Sequence, residues 1–211
     1  MEPGPTQGND RAAAGPTRSG RRRLGARDGA GELGTRWSWL GSLGADPIRL
    51  TPENVTVAMA VRWLGGLVVR GVFRDVRGVI HVPVHDDDTA AVTVEVGADS
   101  VRTGIPLRDH HLRSPLFLDA ARHPTITFRG GDVMRLPTHV AVPGSLTIRG
   151  VTRTEELRCP LDGFAGGKPL SGELLLSRRA YRVGVPTGLR RLDPLFVVIG
   201  DDVRITISVR L

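Results

Sequence analysis

The sequence contains a single cysteine, Cys159, so neither a disulfide within the chain nor a zinc site built on cysteines can form. It also lacks any run approaching about 18 consecutive apolar residues, which excludes a membrane-spanning helix. Lysine is nearly absent, since Lys168 is the only lysine among 29 basic residues. So strong a preference for arginine indicates codon bias in a GC-rich genome and says little about partners.

Aromatic residues make up only 4% of the chain, and no basic strand is interleaved with them as in proteins that stack nucleic-acid bases. The net charge of +7 divides into +3 for residues 1–37 and +4 for the remainder. A folded domain with so modest an excess does not present an obvious nucleic-acid surface, so we expect no specific nucleic-acid partner.

Residues 1–35 are dominated by Gly, Pro, Ala and Arg and show no apolar period. Such a segment cannot bury enough surface to offset its ordering entropy, so we predict a disordered tail followed by one domain at 36–211. The arginine run at 21–23 is followed by no apolar core of the kind found in secretory signals, which predicts a cytoplasmic protein. The tail is either dispensable or a weak electrostatic anchor for anionic lipid or nucleic acid, so transient membrane contact is one expectation.

The rest of the chain alternates with a period of two. Residues 55–61, 92–96 and 203–209 each place valine, isoleucine or methionine on one face and smaller or polar residues on the other. Strict alternation is typical of a strand with one buried face. Further strands are predicted at 67–74, 76–84, 125–130, 138–149, 153–162 and 170–177. Many strands at short spacing predict an all-β, antiparallel sheet.

One region, residues 105–121, lacks this alternation. Leu107, His111 and Leu112 fall at helical spacing, and Pro115 ends that turn, so a short helix is predicted between strands. A second helical turn is predicted near Leu116–Ala120.

An antiparallel sheet of this size leaves exposed edges unless it closes into a barrel. A barrel of about eight strands has an interior that side chains fill or that holds one ligand. Because the inward residues are mostly aliphatic, a cavity along the axis would favour an elongated lipid. A tightly packed core without a cavity is the alternative, and the sequence does not decide between the two.

Three segments of the sequence resemble the YceI-like family. They are RDHHLRSPLFLDAARHPTITF at 108–128, SLTIRGVTR at 145–153 and VRWLGGLVVRGVFRDVRGVI at 61–80. The resemblance extends over residues 37–211. It implies an extended, lipocalin-like, eight-stranded antiparallel β-barrel with a hydrophobic pocket for a polyisoprenoid chain, such as an isoprenoid quinone. It implies no established catalytic activity and no cofactor, and it makes a homodimer an expectation.

Arg108, Asp109 and His111 lie on the predicted helix and match the family motif. They are expected either to form a polar network that pins the helix across the barrel mouth or to recognise a ligand head group. No catalytic residue is predicted, because the sequence has no G-x-S-x-G nucleophile elbow. No metal site is predicted either, because His81 and His85 on a strand would be about 13 Å apart, too far for one ion.

Apolar and aromatic residues from several elements complete the predicted ligand site, although a slip of one residue would reverse every face of a strand. With the three polar residues above, the candidate ligand-binding residues are Val57, Met59, Val61, Trp63, Phe73, Arg108, Asp109, His111, Leu112, Phe117, Phe128 and Tyr181. Trp37 and Trp39 are expected to cap one barrel end or to pack in the core, and Cys159 is expected to be a buried free thiol. The leading hypothesis is a non-catalytic protein that binds a long isoprenoid-type lipid. A filled structural barrel and a lipid-modifying enzyme are the alternatives.

Overall fold

A computed structural model describes residues 37–44, 46–63, 66–83, 85, 88–165, 168–184 and 199–211. The predicted tail at 1–35 and its boundary with the domain lie outside these residues. Within them the fold is mostly β, with one α-helix.

The strands follow the predicted alternation closely, as at 55–61, 92–96 and 203–209. In chain order they are β1 (Ile48–Leu50), β2 (Val55–Trp63), β3 (Val68–Phe73), β4 (Val76–His81), β5 (Ala91–Gly97), β6 (Val101–Arg102), β7 (Thr125–Gly130), β8 (Met134–Arg135), β9 (His139–Ile148), β10 (Val151–Pro160), β11 (Leu170–Ser177) and β12 (Ile199–Val209). The helix α1 (Pro106–Arg113) lies between β6 and β7.

All pairings are antiparallel, and they lead around a curled sheet back to the starting strand. β12 pairs with β2, β2 with β3, β4 with β5, and the path continues through β7, β9, β10 and β11 to β12 again. Only Arg74 and Asp75 separate β3 from β4, so the chain itself joins the two halves of that strand. β8 is an extra short strand that pairs with β9.

Three of the positions in this ring are bent strands, each made of two successive pieces. They are β1 with β2, β3 with β4, and β5 with β6. β1 pairs with β4 while β2 pairs with β3, and β5 pairs with β4 while β6 pairs with β3. Counting each bent strand once, the ring has eight positions, which confirms the predicted eight-stranded antiparallel barrel. At one bend, the Ser100 hydroxyl donates to the Gly97 carbonyl at 2.6 Å and accepts from the Arg74 amide at 3.1 Å.

The helix α1 forms where it was predicted. Pro106 occupies its first turn, where a missing N–H has no intrahelical partner to lose. It ends at Arg113, before Pro115. The second predicted helical turn is instead a series of hydrogen-bonded turns, in which both Phe117 and Asp119 donate their amides to the Ser114 carbonyl. This part of the prediction was wrong, because the amides of Leu118, Asp119 and Ala120 bond to carbonyls five to seven positions earlier rather than four.

The barrel has two different ends. At one end lie α1, Gly66 and Leu67 before β3, and the β9–β10 turn. At the other end the segment Ser38–Leu43 forms a 3-10 helix, and Trp37 is buried beside it. Trp39 packs edge-on against Phe164 with ring centroids 5.2 Å apart, so both tryptophans pack at the end opposite α1.

Candidate functional site

A cavity of about 410 Å³ lies inside the α1 end of the barrel. This is within the range of about 300–1,000 Å³ that is usual for small-molecule sites. Its walls consist of the inward residues of the strands, and α1 and the segment after it border the same space. The lining residues are Val57, Met59, Val61, Arg62, Trp63, Val69, Phe73, Val94, Val96, Ile105, Leu107, Arg108, His111, Leu112, Phe117, Leu118, Ile126, Phe128, Leu146, Ile148, Leu174, Leu176, Arg178, Tyr181, Val183, Ile199, Val203, Ile205 and Ile207.

The alternating pattern of each strand explains why so much of this surface is apolar. On β2, Val57, Met59 and Val61 line the cavity, whereas Ala58 and Ala60 do not. On β12 the same holds for Val203, Ile205 and Ile207, which pair with the inward residues of β2. Since neighbouring strands keep their registers, the inward faces coincide around the ring.

Most residues predicted from sequence to bind a ligand are brought together around this cavity. The lining includes Val57, Met59, Val61, Trp63, Phe73, Arg108, His111, Leu112, Phe117, Phe128 and Tyr181. Asp109 does not line it. That carboxylate is buried and directed toward the strand that precedes the helix.

The polar residues of α1 are anchored on Thr103, between β6 and the helix. Asp109 Oδ1 accepts hydrogen bonds from the Thr103 amide at 2.8 Å and from its hydroxyl at 2.5 Å. Arg108 donates from Nε to the Thr103 hydroxyl at 2.8 Å and from Nη2 to its carbonyl at 2.9 Å. The Thr103 hydrogen bonds hold the pKa of Asp109 below its usual value. These contacts tie α1 to Thr103 through Arg108 and Asp109.

Arg178 is a lining residue that sequence reasoning missed. It is only 6% exposed, and all its described bonds go to backbone carbonyls. Nε donates to Gly200 at 2.9 Å, Nη2 to Ile199 at 3.0 Å, and Nη1 to Val183 at 3.1 Å and Gly184 at 2.8 Å. Burial lowers the pKa of this guanidinium. Arg178 thus ties the beginning of β12 to the segment that follows β11.

Two further contacts strengthen this end of the barrel. The Tyr181 hydroxyl donates to Glu155 Oε1 at 2.7 Å, and burial raises the pKa of the Tyr181 phenol. Arg149, in the β9–β10 turn, donates to the carbonyls of Arg182 and Pro115. The mouth is therefore braced by arginines that bind backbone oxygens.

A second, smaller cavity of about 70 Å³ lies farther along the barrel. Val94 and Ile207 line both cavities. The Phe128 ring, which lines the large cavity, packs against Gly130 and Gly144. A Cβ added at Gly144 would lie only 2.7 Å from Phe128 Cζ. The two glycines therefore provide the space in which this ring forms the floor of the large cavity.

Cys159 borders the smaller cavity as a buried free thiol, as predicted. Burial raises its pKa to about 12, so the thiol is protonated and unreactive in the folded protein.

The large cavity has an apolar interior, and the charged side chains that line it are basic. Arg62, Arg108, His111 and Arg178 are its charged or titratable basic lining residues, and no acidic residue among those described lines it. Among the described residues, no three His, Cys, Asp or Glu side chains are grouped closely enough to hold a metal ion. In the same part of the chain, no helix has the length and apolarity needed to cross a membrane.

Comparison with known proteins relates the chain to one family. The profile of the YceI-like domain matches residues 49–211. The protein named YceI from Salmonella arizonae is 31% identical over 121 residues, which make up 57% of this chain and 63% of that protein. The chain thus aligns with less than two thirds of that relative's length.

Solved structures share the fold at lower identity. The crystal structure of BcnA from Burkholderia cenocepacia superposes with a TM-score of 0.59 at 19% identity, covering 73% of this chain and 94% of that chain. A polyisoprenoid-binding domain from Saccharophagus degradans, implicated in plant cell wall breakdown, gives a TM-score of 0.55 at 19% identity, covering 78% and 97%.

Proposed function

Because the chain belongs to the YceI-like family, we propose that its barrel binds and carries a long apolar molecule of the polyisoprenoid type without changing it chemically. The observation that supports this most directly is the cavity of about 410 Å³ and its lining. Apart from three arginines and one histidine, that lining is made of aliphatic, aromatic and methionine side chains.

The affinity would come from removing hydrocarbon from water. Each buried methylene contributes roughly 0.8 kcal/mol, so a chain with many carbons binds firmly without polar contacts. A polar head, such as the ring of an isoprenoid quinone, would lie at the mouth near Arg108 and His111. The domain from Saccharophagus degradans is named for polyisoprenoid binding, and this ligand class suits the long apolar interior here.

Such a ligand has little solubility in water and partitions into membranes, so exchanging it with a membrane would involve transient contact between the protein and that membrane. Two of the polar groups on α1 are already engaged within the protein. The Asp109 carboxylate is bound to Thr103 and the Arg108 guanidinium is bound to the same residue. We therefore propose sequestration and transfer rather than catalysis.

The test is native mass spectrometry of gently purified protein, followed by uptake of geranylgeraniol by the delipidated form. Val61→Trp places a large ring in the cavity and should abolish uptake. Ala60→Trp adds the same ring at the neighbouring position of β2, which does not line the cavity, and should leave uptake intact.

Each outcome distinguishes the alternatives. Co-purified lipid, or uptake that Val61→Trp alone removes, supports binding in the barrel. A delipidated protein that takes up no member of a polyprenol and quinone series would overturn the proposal in favour of a filled structural barrel. Recovery of a chemically altered probe would indicate a lipid-modifying enzyme instead.

A further inference from the structure

Several large apolar side chains at the α1 end of the barrel are exposed to solvent, although their neighbours line the cavity. Leu67 is 70% exposed and Val68 39% exposed in the β2–β3 connection, and Ile105 and Leu107 are 50% and 67% exposed where α1 begins. We call these four residues the apolar rim. An exposed apolar side chain contributes less to the stability of the fold than a buried one does. A group of them on one surface therefore indicates a binding surface.

The two parts of the apolar rim adjoin two strands that pair with each other, since one lies at the start of β3 and the other follows β6. β3 pairs with β6 through Val72 and Arg102, and a Cβ added at Gly71 would lie 3.0 Å from Thr103 Cγ2. Continuing this antiparallel alignment places Ile105 beside Val69. Val69, Ile105 and Leu107 all line the large cavity, so the apolar rim is continuous with the cavity wall.

Basic residues flank this rim, and acidic ones are absent from its segments. Residues 61–70 and 101–108 contain four arginines and no Asp or Glu. Arg62, Arg70 and Arg102 are exposed. The acidic residues nearest to these segments along the chain are Asp75, which pairs with Arg77, Asp109, which is buried and bound to Thr103, and the exposed Asp99. One exposed carboxylate against these arginines leaves an excess of positive charge beside the apolar rim.

We propose that the apolar rim docks on an anionic lipid surface, with Leu67, Ile105 and Leu107 entering the interface and the arginines meeting lipid phosphates. Exposed apolar side chains beside basic ones are the combination that binds proteins to the surface of anionic bilayers. The cavity would then open directly toward the hydrocarbon, which gives a long apolar ligand a path that avoids water. This role in ligand exchange rests on the proposed function, whereas the docking itself does not.

A second copy of the chain fits the same surface less well. A two-fold dimer through the apolar rim would bring the same surface patch of both copies together. The arginines of one copy would then face those of the other, and like charges at an interface are unfavourable. The charge therefore favours phosphate groups as the partner.

The test is co-sedimentation of the full chain with vesicles of equal parts phosphatidylglycerol and phosphatidylcholine, compared with vesicles of phosphatidylcholine alone. We expect binding to the anionic vesicles, weakened when salt is raised from about 0.1 M to about 1 M, because screening shortens from about 10 Å to about 3 Å. Leu67→Glu should reduce the partition coefficient at least tenfold. Leu175→Glu is the matched control, since Leu175 is 61% exposed on β11 and does not line the cavity.

A second pair of variants tests the charge. Arg70→Gln should weaken binding to anionic vesicles about fivefold, the factor expected for one basic residue at such a surface. Arg129→Gln, an exposed arginine on β7, should change it little. Because the tail is present in every variant, its own excess of +3 over residues 1–37 cannot produce a difference between rim and control.

Three results would overturn the docking proposal. They are equal binding to both vesicle types, equal effects of the rim and control variants, or a concentration-dependent dimer that Leu67→Glu dissociates.

Uptake of geranylgeraniol delivered from cyclodextrin, without vesicles, is measured in parallel. Neither Leu67 nor Arg70 lines the cavity, so their variants should retain this uptake. A rim variant that loses vesicle binding but keeps normal uptake would show that the apolar rim acts in docking and not in ligand binding. If the protein binds vesicles but neither it nor any variant takes up geranylgeraniol, only the proposed function is contradicted.

Discussion

At the scale of single residues, Arg178 shows how a charged side chain can be accommodated beside an apolar cavity. Its planar guanidinium presents five N–H donors in a fixed arrangement, and four backbone carbonyls accept from it. A lysine has a single ammonium and could not reach carbonyls on two separate segments in this way. Arg178 therefore acts as a brace between β12 and the residues after β11.

We predict that Arg178→Ala destabilises the fold by about 2–4 kcal/mol, because buried carbonyls would lose their donors. The neighbouring Arg179→Ala should cost less than about 1 kcal/mol, since its ion pair with Asp201 at 4.0 Å is exposed. Urea unfolding of both variants measures the difference. Equal free energies of unfolding would show that Arg178 is not a brace.

At the scale of elements, the floor of the cavity depends on a pair of glycines in neighbouring strands. Gly130 of β7 pairs with Gly144 of β9, and the Phe128 ring lies over both. An aromatic ring covering a glycine in an adjacent strand replaces the side-chain contacts that glycine lacks. In this barrel the same ring also lines the large cavity.

Gly144→Ala should therefore destabilise the protein by about 1–3 kcal/mol, because overpacking forces neighbours to move. The added Cβ would lie 2.6 Å from the Arg129 carbonyl oxygen and 2.7 Å from Phe128 Cζ. Gly131→Ala is the matched control, since its nearest contact would be an ordinary 3.6 Å. Chemical denaturation compares the two variants, and a Gly144→Ala variant as stable as the control would contradict the packing described here.

For the whole molecule, the cavity is a region where the barrel does not complete its own core. Native interiors are close-packed, and side chains around an empty space lose contacts that a packed core would provide. A ligand that fills the cavity restores them, so binding and stability are linked.

We expect delipidated protein to melt at a lower temperature than protein saturated with geranylgeraniol. Ligand at about 100 times its dissociation constant stabilises the native state by about 2.7 kcal/mol. For a domain of this size, that corresponds to a rise of about 5–10 °C in Tm. Differential scanning calorimetry measures it, with Val61→Trp as the variant that should not respond. An unchanged Tm in the wild-type protein would count against a ligand in the barrel.

The alternating pattern predicted most strands because a period of two is a local property of the residues themselves. Residues 203–209 lie within β12, and the helix appears at 106–113 where alternation stops. The motif at 108–128 likewise indicated the family before any geometry was known. Met59 was placed among the cavity residues because the period assigns it to the same face as Val57 and Val61.

Other features were decided only in three dimensions. The role of Arg178 depends on carbonyls that the fold brings to it from residues 199–200, more than twenty positions away. Asp109 lies one residue from a cavity-lining arginine, yet the turn of the helix directs it to Thr103. The apolar rim was also decided by the tertiary structure, because its leucines look like ordinary core residues in the sequence. Local periodicity determines which face a side chain takes, but long-range strand pairing determines what lies opposite that face, whether protein, cavity or solvent.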